Sequence, residues 1–513
     1  MSGTAALGID VGTTNVKVVL VDEPGSVVAS AQRALRTHHD GEIGEQDAAA
    51  LWSAVEDAIG EVTSAAPDRA REVGAVGCCS QYSSIVPVDA AGLPVAPMVM
   101  WTDKRGTDHC WDILGDHGHA FETWVDRHGI PPVGNGLALA HLLHLQRDRP
   151  ETHAATATWL EPMDYVNLRL TGTVGANQGT MFMSQLCDNR TLGTTDYDPD
   201  LLAMTGLDAD RLPPLLPLDA PVGPLSADVA ERLGLPPDAV VYGGVNDTVA
   251  GAVATGALVD GRGGLSIGTT SVLLDAMADK AVDLDHELLT MPSPFPDTYL
   301  LWAENGIGGR ALEHVLVDVV HAVDALGDHQ TADEFRQLDE ALDSVTPGSD
   351  GLLFLPWLNG SLSPDSDPNA RGGFINMSLQ TGRAHMVRAV CEGVAHNLRW
   401  LLPHAESFTG TPMAEIAFLG GAARSRAWCQ ILADVLDRTI APVADPERAV
   451  ARGVANLALH RHGAIDRDEL NRRAEVVDRH EPDPANRQRY DAMHDQFEAS
   501  FEALRPIHEA LNG

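Results

Sequence analysis

The stretch that decides the fold is Ala6–Gln32, which runs ALGIDVGTTNVKVVLVDEPGSVVASAQ. Ala6–Asp10 is short and apolar, and residues 12–14 (Gly-Thr-Thr) follow it as a tight turn. Val16–Val21 is rich in β-branched residues and too short for a helix, and Val27–Gln32 comes after a second turn that contains Pro and Gly. β-Branched runs separated by glycine turns predict three successive strands.

Helix and strand patterns alternate beyond this meander. Asp47–Ser64 carries apolar residues at helical spacing, whereas Val73–Ser80 and Ile85–Val88 are short apolar runs typical of buried strands. A strand meander followed by a helix and further strands predicts an α/β layered domain with a mixed sheet. Near the other end of the chain, residues 485–511 predict an amphipathic helix that packs on the protein's own core.

The pattern at the start of the chain returns near its middle. Leu265–Val272 (LSIGTTSV) repeats the apolar strand, the Gly-Thr-Thr turn and the following apolar strand of residues 8–16. A three-residue identity also arises by chance, but the matching strand-turn-strand context favours a duplicated domain. We therefore predict two domains of related construction, residues 1–250 and residues 251–513.

The charge of the chain disfavours some classes of partner. Its 513 residues include 35 Lys and Arg against 73 Asp and Glu, which gives a formal net charge of −38. The lysines are Lys17, Lys104 and Lys280, and the arginines are spread along the chain. Because nucleic-acid binding needs a concentrated basic surface, we expect neither a nucleic acid nor an anionic membrane as a partner.

The cysteines and the first residues bear on the compartment. None of the six cysteines belongs to a Cys-x-x-Cys pair, so we expect reduced thiols rather than disulfides or a zinc site. The first twelve residues lack the basic segment of a signal peptide. The sequence contains no run of about 18 uncharged apolar residues, which is the length needed to span a membrane. These features predict a cytoplasmic protein.

A third glycine turn, Gly420-Gly421, follows the apolar run 416–419 and precedes a helical pattern over Ser425–Leu436. Glycine turns let backbone N–H groups approach phosphate oxygens, and a helix N-terminus favours anions. Each such turn is more often only a turn, but three in a two-domain chain indicate a nucleotide site. The P-loop, protein-kinase and Gly-x-Gly-x-x-Gly motifs are absent from the sequence. The remaining arrangement is the actin-like one, in which two hairpin turns hold ATP phosphates across a cleft.

Two acidic residues complete the predicted site. Asp10 ends the first strand beside the first glycine turn, where a carboxylate can hold Mg²⁺ directly or through water. Asp247 follows an apolar strand and a glycine pair, and it precedes small residues that begin a helix. This position suits a general base at a cleft, and it equally suits a helix N-cap, which Asp also favours. The sequence leaves both roles open.

These motifs resemble the FGGY carbohydrate kinases, most closely the xylulokinase-like members, over nearly the whole chain. Each segment is unspecific alone, but their combination in the family's order is highly specific. The matching segments are Gly8–Thr14 (GIDVGTT), Trp101–Arg105 (WTDKR), Gly243–Ala252 (GGVNDTVAGA), Leu265–Thr270 (LSIGTT), Phe354–Gly360 (FLPWLNG), Asp367–Gly372 (DPNARG), Arg388–Ala395 (RAVCEGVA) and Gly420–Ser425 (GGAARS) with Trp428.

The resemblance implies a fold and a mechanism. The fold is α/β, with two actin-like (ribonuclease H-like) domains, mixed β-sheets flanked by helices, and the active site in the interdomain cleft. The implied activity is ATP-dependent phosphorylation of a small neutral sugar, most closely a ketopentose such as xylulose. Asp247 would be the general base and Asp10 would contact the Mg²⁺ of MgATP. Dimers are common in the family, so a homodimer is compatible with the resemblance.

The resemblance also implies which residues contact the ligands. The nucleotide would contact Thr13, Thr14, Lys17, Gly268, Thr269, Gly420, Gly421 and Ser425. The sugar would contact Gln81, Tyr82, Trp101, Asp103, Asn246 and Asp247. From the residues alone, phosphate contact is favoured for Lys17 over an exposed strand charge, whereas Asp103 is equally explained as a structural partner of Arg105. Tyr82 and Trp101 have the alternative of being core aromatic residues.

Two departures from the family pattern concern the sugar. Xylulokinases usually have Gln-Met-His-Gly where this chain has Gln81–Ser84 (QYSS), and glycerol kinases place Arg-Glu there. The family's Gly-Glu-Arg-Thr-Pro is replaced by Gly360–Pro364 (GSLSP). The kinase prediction is unaffected, but the substrate stays open among ketopentoses, tetritols, hexuloses and deoxy sugars.

Two functions of other classes also remain. One is a non-catalytic actin-like scaffold that binds ATP, and the segments Trp101–Arg105 and Asn246-Asp247 argue against it. The other is a degenerate kinase that senses a sugar and regulates a partner. The presence of Asp10, Asp247 and both Gly-Thr-Thr turns argues against the sensor.

Overall fold

The computed structural model describes residues 5–22, 25–259, 261–320 and 334–513. Its strands are β1 Ala5–Val11, β2 Asn15–Val21, β3 Val27–Ala34, β4 Thr37–Asp40, β5 Ile43–Gln46, β6 Val73–Ser80, β7 Val86–Val88, β8 Met98–Val99, β9 Thr158–Leu160, β10 Ala176–Asn177, β11 Leu215–Leu216, β12 Pro221–Pro224, β13 Val240–Tyr242, β14 Val245–Asn246, β15 Arg262–Ile267, β16 Thr270–Met277, β17 Val282–Asp283, β18 Leu288–Pro292, β19 Tyr299–Ile307, β20 Leu353–Leu355, β21 Gly373–Ile375, β22 Glu415–Leu419 and β23 Thr439–Pro442. Its helices are α1 Ala48–Ala65, α2 Pro67–Ala70, α3 Thr107–Asp116, α4 Ala120–Arg127, α5 Ala138–Arg147, α6 Pro150–Ala155, α7 Pro162–Thr171, α8 Pro199–Thr205, α9 Ala227–Leu233, α10 Asp247–Thr255, α11 Gly309–His314, α12 Glu334–Asp343, α13 Arg383–Thr409, α14 Arg426–Leu436, α15 Ala449–Arg461, α16 Arg467–Arg472 and α17 Arg487–Asn512.

The predicted meander at the start of the chain forms one side of a mixed sheet. β1, β2 and β3 pair antiparallel in succession, and β1 runs parallel to β6. The strand order is β12-β13-β6-β1-β2-β3, with β14 beside β6. Every residue of β1 and β6 is buried, because helices pack on both faces of the sheet, as is usual for parallel strands.

The second sheet repeats this topology. Its order is β17-β18-β19-β16-β15-β22-β23. β15, β16 and β19 form an antiparallel meander, whereas β15, β22 and β23 are parallel neighbours. The strands β19-β16-β15-β22-β23 therefore correspond to β3-β2-β1-β6-β13, and the two Gly-Thr-Thr turns join equivalent strands. The two sheets are therefore of related construction, and the division into residues 1–250 and 251–513 stays a prediction.

Two helices, α10 and α15, lie against each other between the two sheets, and each also packs on the sheet of the other half of the chain. α10 contacts β15 and β22 of the second sheet, and α15 packs on β1, β2 and β6 of the first sheet. Glycines permit this approach, because a Cβ atom at Gly8 would lie 2.1 Å from the carbonyl oxygen of Ala451, and one at Gly77 would lie 2.6 Å from that of Val454. A division of the chain at residue 250 cuts through α10.

The C-terminal helix is confirmed as amphipathic. α17 buries Tyr490, Phe497 and Phe501 on one side. The rings of Phe497 and Phe501 lie 5.1 and 4.8 Å from that of Trp357, so the helix packs on the second domain's own core. The six cysteines are unpaired and buried. Within the described ranges, no helix is both long and apolar enough to cross a bilayer.

Candidate active site

Asp10 lies at the end of β1 with Lys17 directly opposite on β2. The Lys17 Nζ atom is 3.9 Å from the Asp10 Oδ2 atom, and the Cys79 thiol donates to Asp10 Oδ1 at 3.8 Å. Burial raises the pKa of Asp10, and the charge of Lys17 partly opposes that rise. Lys17 is therefore placed at the first glycine turn as an ion-pair partner and is not simply an exposed strand charge.

The structure separates the two roles that the sequence left open for Asp247. Asn246 is the N-cap of α10, and its side-chain oxygen accepts a hydrogen bond from the Val249 N–H at 2.7 Å. Asp247 is the first helical residue and does not cap the helix; its carboxylate accepts a long hydrogen bond from the Thr248 hydroxyl at 3.5 Å. Burial, and then the negative charge of Asp10, raise the pKa of Asp247 to about 7. A carboxylate with a pKa near the working pH is suited to act as a general base.

The hydroxyl of Thr13 joins residues predicted for the sugar. It donates to Gln81 Oε1 at 2.7 Å and accepts from the Trp101 indole N–H at 3.1 Å. Gln81 is buried, and Trp101 is 40% exposed. Thr14 is exposed at the tip of the same turn. The turn thus faces two ways, with Thr13 toward the predicted sugar residues and Thr14 toward solvent.

A buried carboxylate that the sequence analysis missed holds the loop Gln81–Ser84. Glu161 accepts hydrogen bonds from the N–H groups of Ser83 and Ser84, both at 3.1 Å. Ser83 has a φ of 62°, an unusual value for a residue with a side chain. His141 Nδ1 lies 3.0 Å from the Ser83 carbonyl oxygen on the other side of the loop. Glu161 lies in no motif, so nothing in the sequence pattern indicates this contact.

Tyr82 reaches across the cleft between the domains. Its ring meets the Trp302 ring of β19 edge to face, with centroids 6.0 Å apart. Its hydroxyl lies near the Thr248 side chain, next to Asp247. Burial raises the pKa of Tyr82 well above its usual value, and the carboxylates of Glu304 and Asp247 add to the rise. Tyr82 is therefore a cleft residue and not a residue of one domain's core.

The placement of Asp103 favours the structural alternative. Its side chain is fully buried and accepts from the Gly44 N–H at 2.9 Å and from the Arg105 guanidinium at 2.6 Å. Arg105 also pairs with Glu45 at 2.6 Å. The bonds from Arg105 and Gly44 keep the pKa of Asp103 low although burial opposes this. The Arg105 backbone N–H and Nε bond to Oδ1 at 2.9 and 3.0 Å, so both carboxylate oxygens hold Arg105 and β5, and contact of Asp103 with the sugar stays a prediction.

The second glycine turn and the third one border open space. Gly268 and Thr269 are exposed, and a Cβ atom added at Gly268 or at Gly421 would meet no atom within 4 Å. Gly420 has a φ of 102°, and a Cβ atom there would lie 2.4 Å from the Ile267 carbonyl oxygen. A side chain is thus excluded at Gly420, while room for a ligand remains beside Gly268 and Gly421.

Ser425 does not border this space. It is fully buried and caps α14 by accepting from the Trp428 N–H at 3.1 Å, and its hydroxyl donates to Asp339 of α12. Both hydrogen-bonding functions of its hydroxyl are used within the protein, and contact of Ser425 with the nucleotide stays a prediction.

The residues present fit a nucleotide and its metal ion. The exposed turns offer unhindered backbone groups of the kind that contact phosphates. No group of three or more His, Cys, Asp or Glu residues in the described part of the chain is arranged to hold a metal by itself. Mg²⁺ in phosphoryl-transfer sites is usually held by one or two carboxylates together with the phosphates and water. Asp10 is a donor of this kind.

Comparison with known proteins identifies the family. The model of the FGGY family of carbohydrate kinases, N-terminal domain, matches residues 5–254, and that of the FGGY family, C-terminal domain, matches residues 263–462. The two matches together cover most of the chain and contain both Gly-Thr-Thr turns and the helix α15.

Full-length relatives agree with these matches. A xylulose kinase of Staphylococcus epidermidis (strain ATCC 12228) is 28% identical over 509 residues, which are 98% of this chain and 97% of that protein. A gluconokinase of Bacillus subtilis is 24% identical over 465 residues, which are 90% of this chain and 88% of that protein. The crystal structure of xylulose kinase from Rhodospirillum rubrum has a TM-score of 0.84 at 27% identity and covers 98% of this chain and all of that one. On this combined evidence of sequence, fold and cleft geometry, the protein belongs to the FGGY family of carbohydrate kinases and is a sugar kinase with two actin-like domains.

Proposed function

We propose that the protein transfers the γ-phosphoryl group of MgATP to a hydroxyl of a small neutral sugar, a ketopentose such as xylulose. The observation that carries the proposal is the position of Asp247. Asn246 caps α10 in place of Asp247. The Asp247 carboxylate lies near Asp10 and has a pKa raised to about 7. Similarity to xylulose kinases over the full chain supports the ketopentose as the acceptor.

The reaction follows from the roles of these side chains. Asp247 accepts the proton of the attacking sugar hydroxyl, the oxygen forms a bond to the γ-phosphorus, and the bond from that phosphorus to the bridging oxygen of ADP breaks. Such transfer depends mainly on positioning and on neutralisation of charge. Bound Mg²⁺ would supply charge neutralisation at the phosphates, with Asp10 as its protein contact. Lys17 adds a positive charge beside Asp10.

The sugar would contact the residues that surround Thr13 and Asp247. Gln81, Tyr82 and Trp101 provide an amide, a hydroxyl and an aromatic face at this point of the cleft. The side-chain nitrogen of Asn246 is buried and has no hydrogen-bond partner among the described residues. An unpaired buried donor is costly, and a sugar hydroxyl would satisfy it.

The nucleotide would lie between the two Gly-Thr-Thr turns. Thr14, Gly268 and Thr269 are exposed on the two sides of the cleft. Gly420 and Gly421 follow β22, on the far side of β15 from β16, where space is open for the adenosine. Closure of the domains on the ligands would exclude water and limit hydrolysis of ATP.

The experiment is an assay of ADP release with MgATP and a panel of ketoses, aldoses, polyols and gluconate, for the wild type and Asp247→Ala. We expect turnover of a neutral ketose, which Asp247→Ala lowers by about 10²–10⁴-fold. The exposed Asp57 provides the matched control, because Asp57→Ala removes a carboxylate outside the cleft.

Each other outcome assigns a different function. Preferred turnover of a tetritol, a hexulose, a deoxy sugar or gluconate would replace the ketopentose as the substrate. Bound ATP with no response to any sugar would favour the sensor or the scaffold. Near-normal kcat in Asp247→Ala would remove Asp247 from the mechanism.

A further inference from the structure

Two side chains of β19 face the loop Gln81–Ser84, which we call the sugar loop, from the opposite domain. Trp302 and Glu304 are two residues apart on the strand, so they point to the same face of the sheet. The register of β16 and β19 places them opposite Leu274 and Val272. Since the Trp302 ring contacts that of Tyr82 with centroids 6.0 Å apart, Glu304 also points into the cleft.

Glu304 connects the sugar loop with the second phosphate turn. Glu304 pairs with Val272 of β16, and Thr270, two residues earlier on the same face of that strand, follows the exposed pair Gly268-Thr269. On the other side, its charge acts on the Tyr82 hydroxyl together with that of Asp247. Glu304 therefore lies where a sugar held near Tyr82 and Asp247 would meet the second domain.

The charges around this position are mostly negative. Asp10, Asp247 and Glu304 contribute three carboxyl groups, and burial raises the pKa of each, so they are most fully charged at alkaline pH. Among the residues assigned to the site, all of which the structure describes, the only cation is Lys17, and it pairs with Asp10 at 3.9 Å. A neutral sugar can donate hydroxyl hydrogens to carboxylates, whereas the carboxylate of an aldonate would be repelled by them.

We propose that Glu304 determines the charge class of the substrate: it accepts a hydrogen bond from a hydroxyl of a neutral sugar and excludes sugar acids by its negative charge. This inference rests on the proposed function, because it concerns the acceptor of the same reaction. It assigns a role to a residue of the second domain that no sequence motif indicated. The relatives of this chain include both xylulose kinases and gluconokinases, so the charge class of its substrate is a question that the residues of the cleft must decide.

The test compares kcat/KM for the best neutral sugar of the panel with kcat/KM for gluconate, at about pH 8.5, where carboxylates are more fully ionised. Glu304→Gln keeps a hydrogen-bond acceptor and removes the charge. We expect the preference of the wild type for the neutral sugar to fall by about tenfold or more in Glu304→Gln. The exposed Glu231 gives the matched control, and Glu231→Gln is expected to leave the preference unchanged.

A preference that is the same in the wild type and in Glu304→Gln overturns the proposal, as does efficient use of gluconate by the wild type. A second measurement separates this proposal from the kinase activity. Binding of the same two ligands is followed through tryptophan fluorescence, for which Trp302 is a built-in reporter. If no sugar is turned over but Glu304→Gln gains affinity for gluconate relative to the neutral sugar, the proposed function fails and the role of Glu304 stands. If no sugar is turned over and Glu304→Gln has the same relative affinity for the two ligands as the wild type, or if neither ligand binds, both the proposed function and the role of Glu304 are overturned.

Discussion

Asp10 and Asp247 come from distant parts of the chain, yet the negative charge of Asp10 contributes to the raised pKa of Asp247. Burial is the larger cause, and the two effects together bring that pKa to about 7. A pair of nearby carboxylates whose ionisation is coupled is a frequent feature of catalytic sites. The following predictions begin from this pair.

The acid limb of the pH profile should report Asp247. A general base acts only when ionised, so kcat/KM is expected to fall about tenfold per pH unit below about pH 7. Asp10→Asn removes a negative charge near Asp247 and should move the limb of the residual activity to lower pH. The profiles of both proteins, measured with saturating MgATP, test this. An unchanged limb in Asp10→Asn would show that the two groups are not coupled.

Asp247 should cost the protein stability above neutral pH. Its pKa in the folded protein, about 7, exceeds the ordinary 3.8, so folding becomes less favourable as the pH rises through this interval. Asp247→Asn is therefore expected to raise the melting temperature at pH 8 and to leave it nearly unchanged at pH 4, while kcat falls. Thermal unfolding at both pH values checks this, with the exposed Asp57→Asn as the control. A lower melting temperature of Asp247→Asn at pH 8 would contradict the prediction.

Glu161 should act on the sugar through the loop Gln81–Ser84. Glu161→Gln replaces one of the two accepting oxygens with an amide that faces an N–H donor, which costs about 1–3 kcal/mol for an unsatisfied buried group. We expect a higher KM for the sugar, little change in the KM for ATP, and an intact fold by circular dichroism. Glu122→Gln, at an exposed position, is the control. Equal increases in both KM values would indicate general damage instead.

Gly8 should be required for the contact of α15 with the first sheet. A Cβ atom at Gly8 would lie 2.1 Å from the Ala451 carbonyl oxygen, so Gly8→Ala forces the helix away from β1. Overpacking of this kind usually costs about 1–3 kcal/mol. In the control Gly60→Ala, the added methyl lies in α1 with no atom within 4 Å, and a small gain from helix propensity is expected. Urea unfolding of the two variants should therefore move in opposite directions.

His396 should make the second domain sensitive to acid. Its ring is buried beside His494 and Phe497, and neither ring nitrogen has a hydrogen-bond partner among the described residues. Burial lowers the pKa of His396 well below 6.5. The unfolded chain therefore binds a proton that the folded one does not, and stability falls as the pH drops below about 6.5.

His396→Phe removes this proton linkage. The loss of the urea midpoint between pH 8 and pH 5.5 is expected to be smaller in His396→Phe than in the wild type. The exposed His39→Gln should leave the difference unchanged. An equal loss in all three proteins would mean that His396 does not contribute.

The sequence by itself determined the elements and their repetition. The alternation of β-branched runs with Gly-Thr-Thr turns is a local property, since a hairpin is formed by residues adjacent in the chain. The predicted strands agree with β1, β2 and β15 to within a few residues, and the helix over residues 485–511 agrees with α17. Asp10 and Asp247 were also proposed from sequence, because each lies at a strand end close to glycine residues.

Only the tertiary structure decided which polar residues are free to meet a ligand. Asp103 and Ser425 belong to motif segments, but Arg105 and the N-terminus of α14 occupy their hydrogen-bonding groups. Glu161 and Glu304 belong to no motif and reach the site through the packing of distant segments. Hydrogen bonding and burial depend on neighbours that are far apart in sequence, so local patterns identify the residue types of a site but not which of them remain unpaired in the cleft.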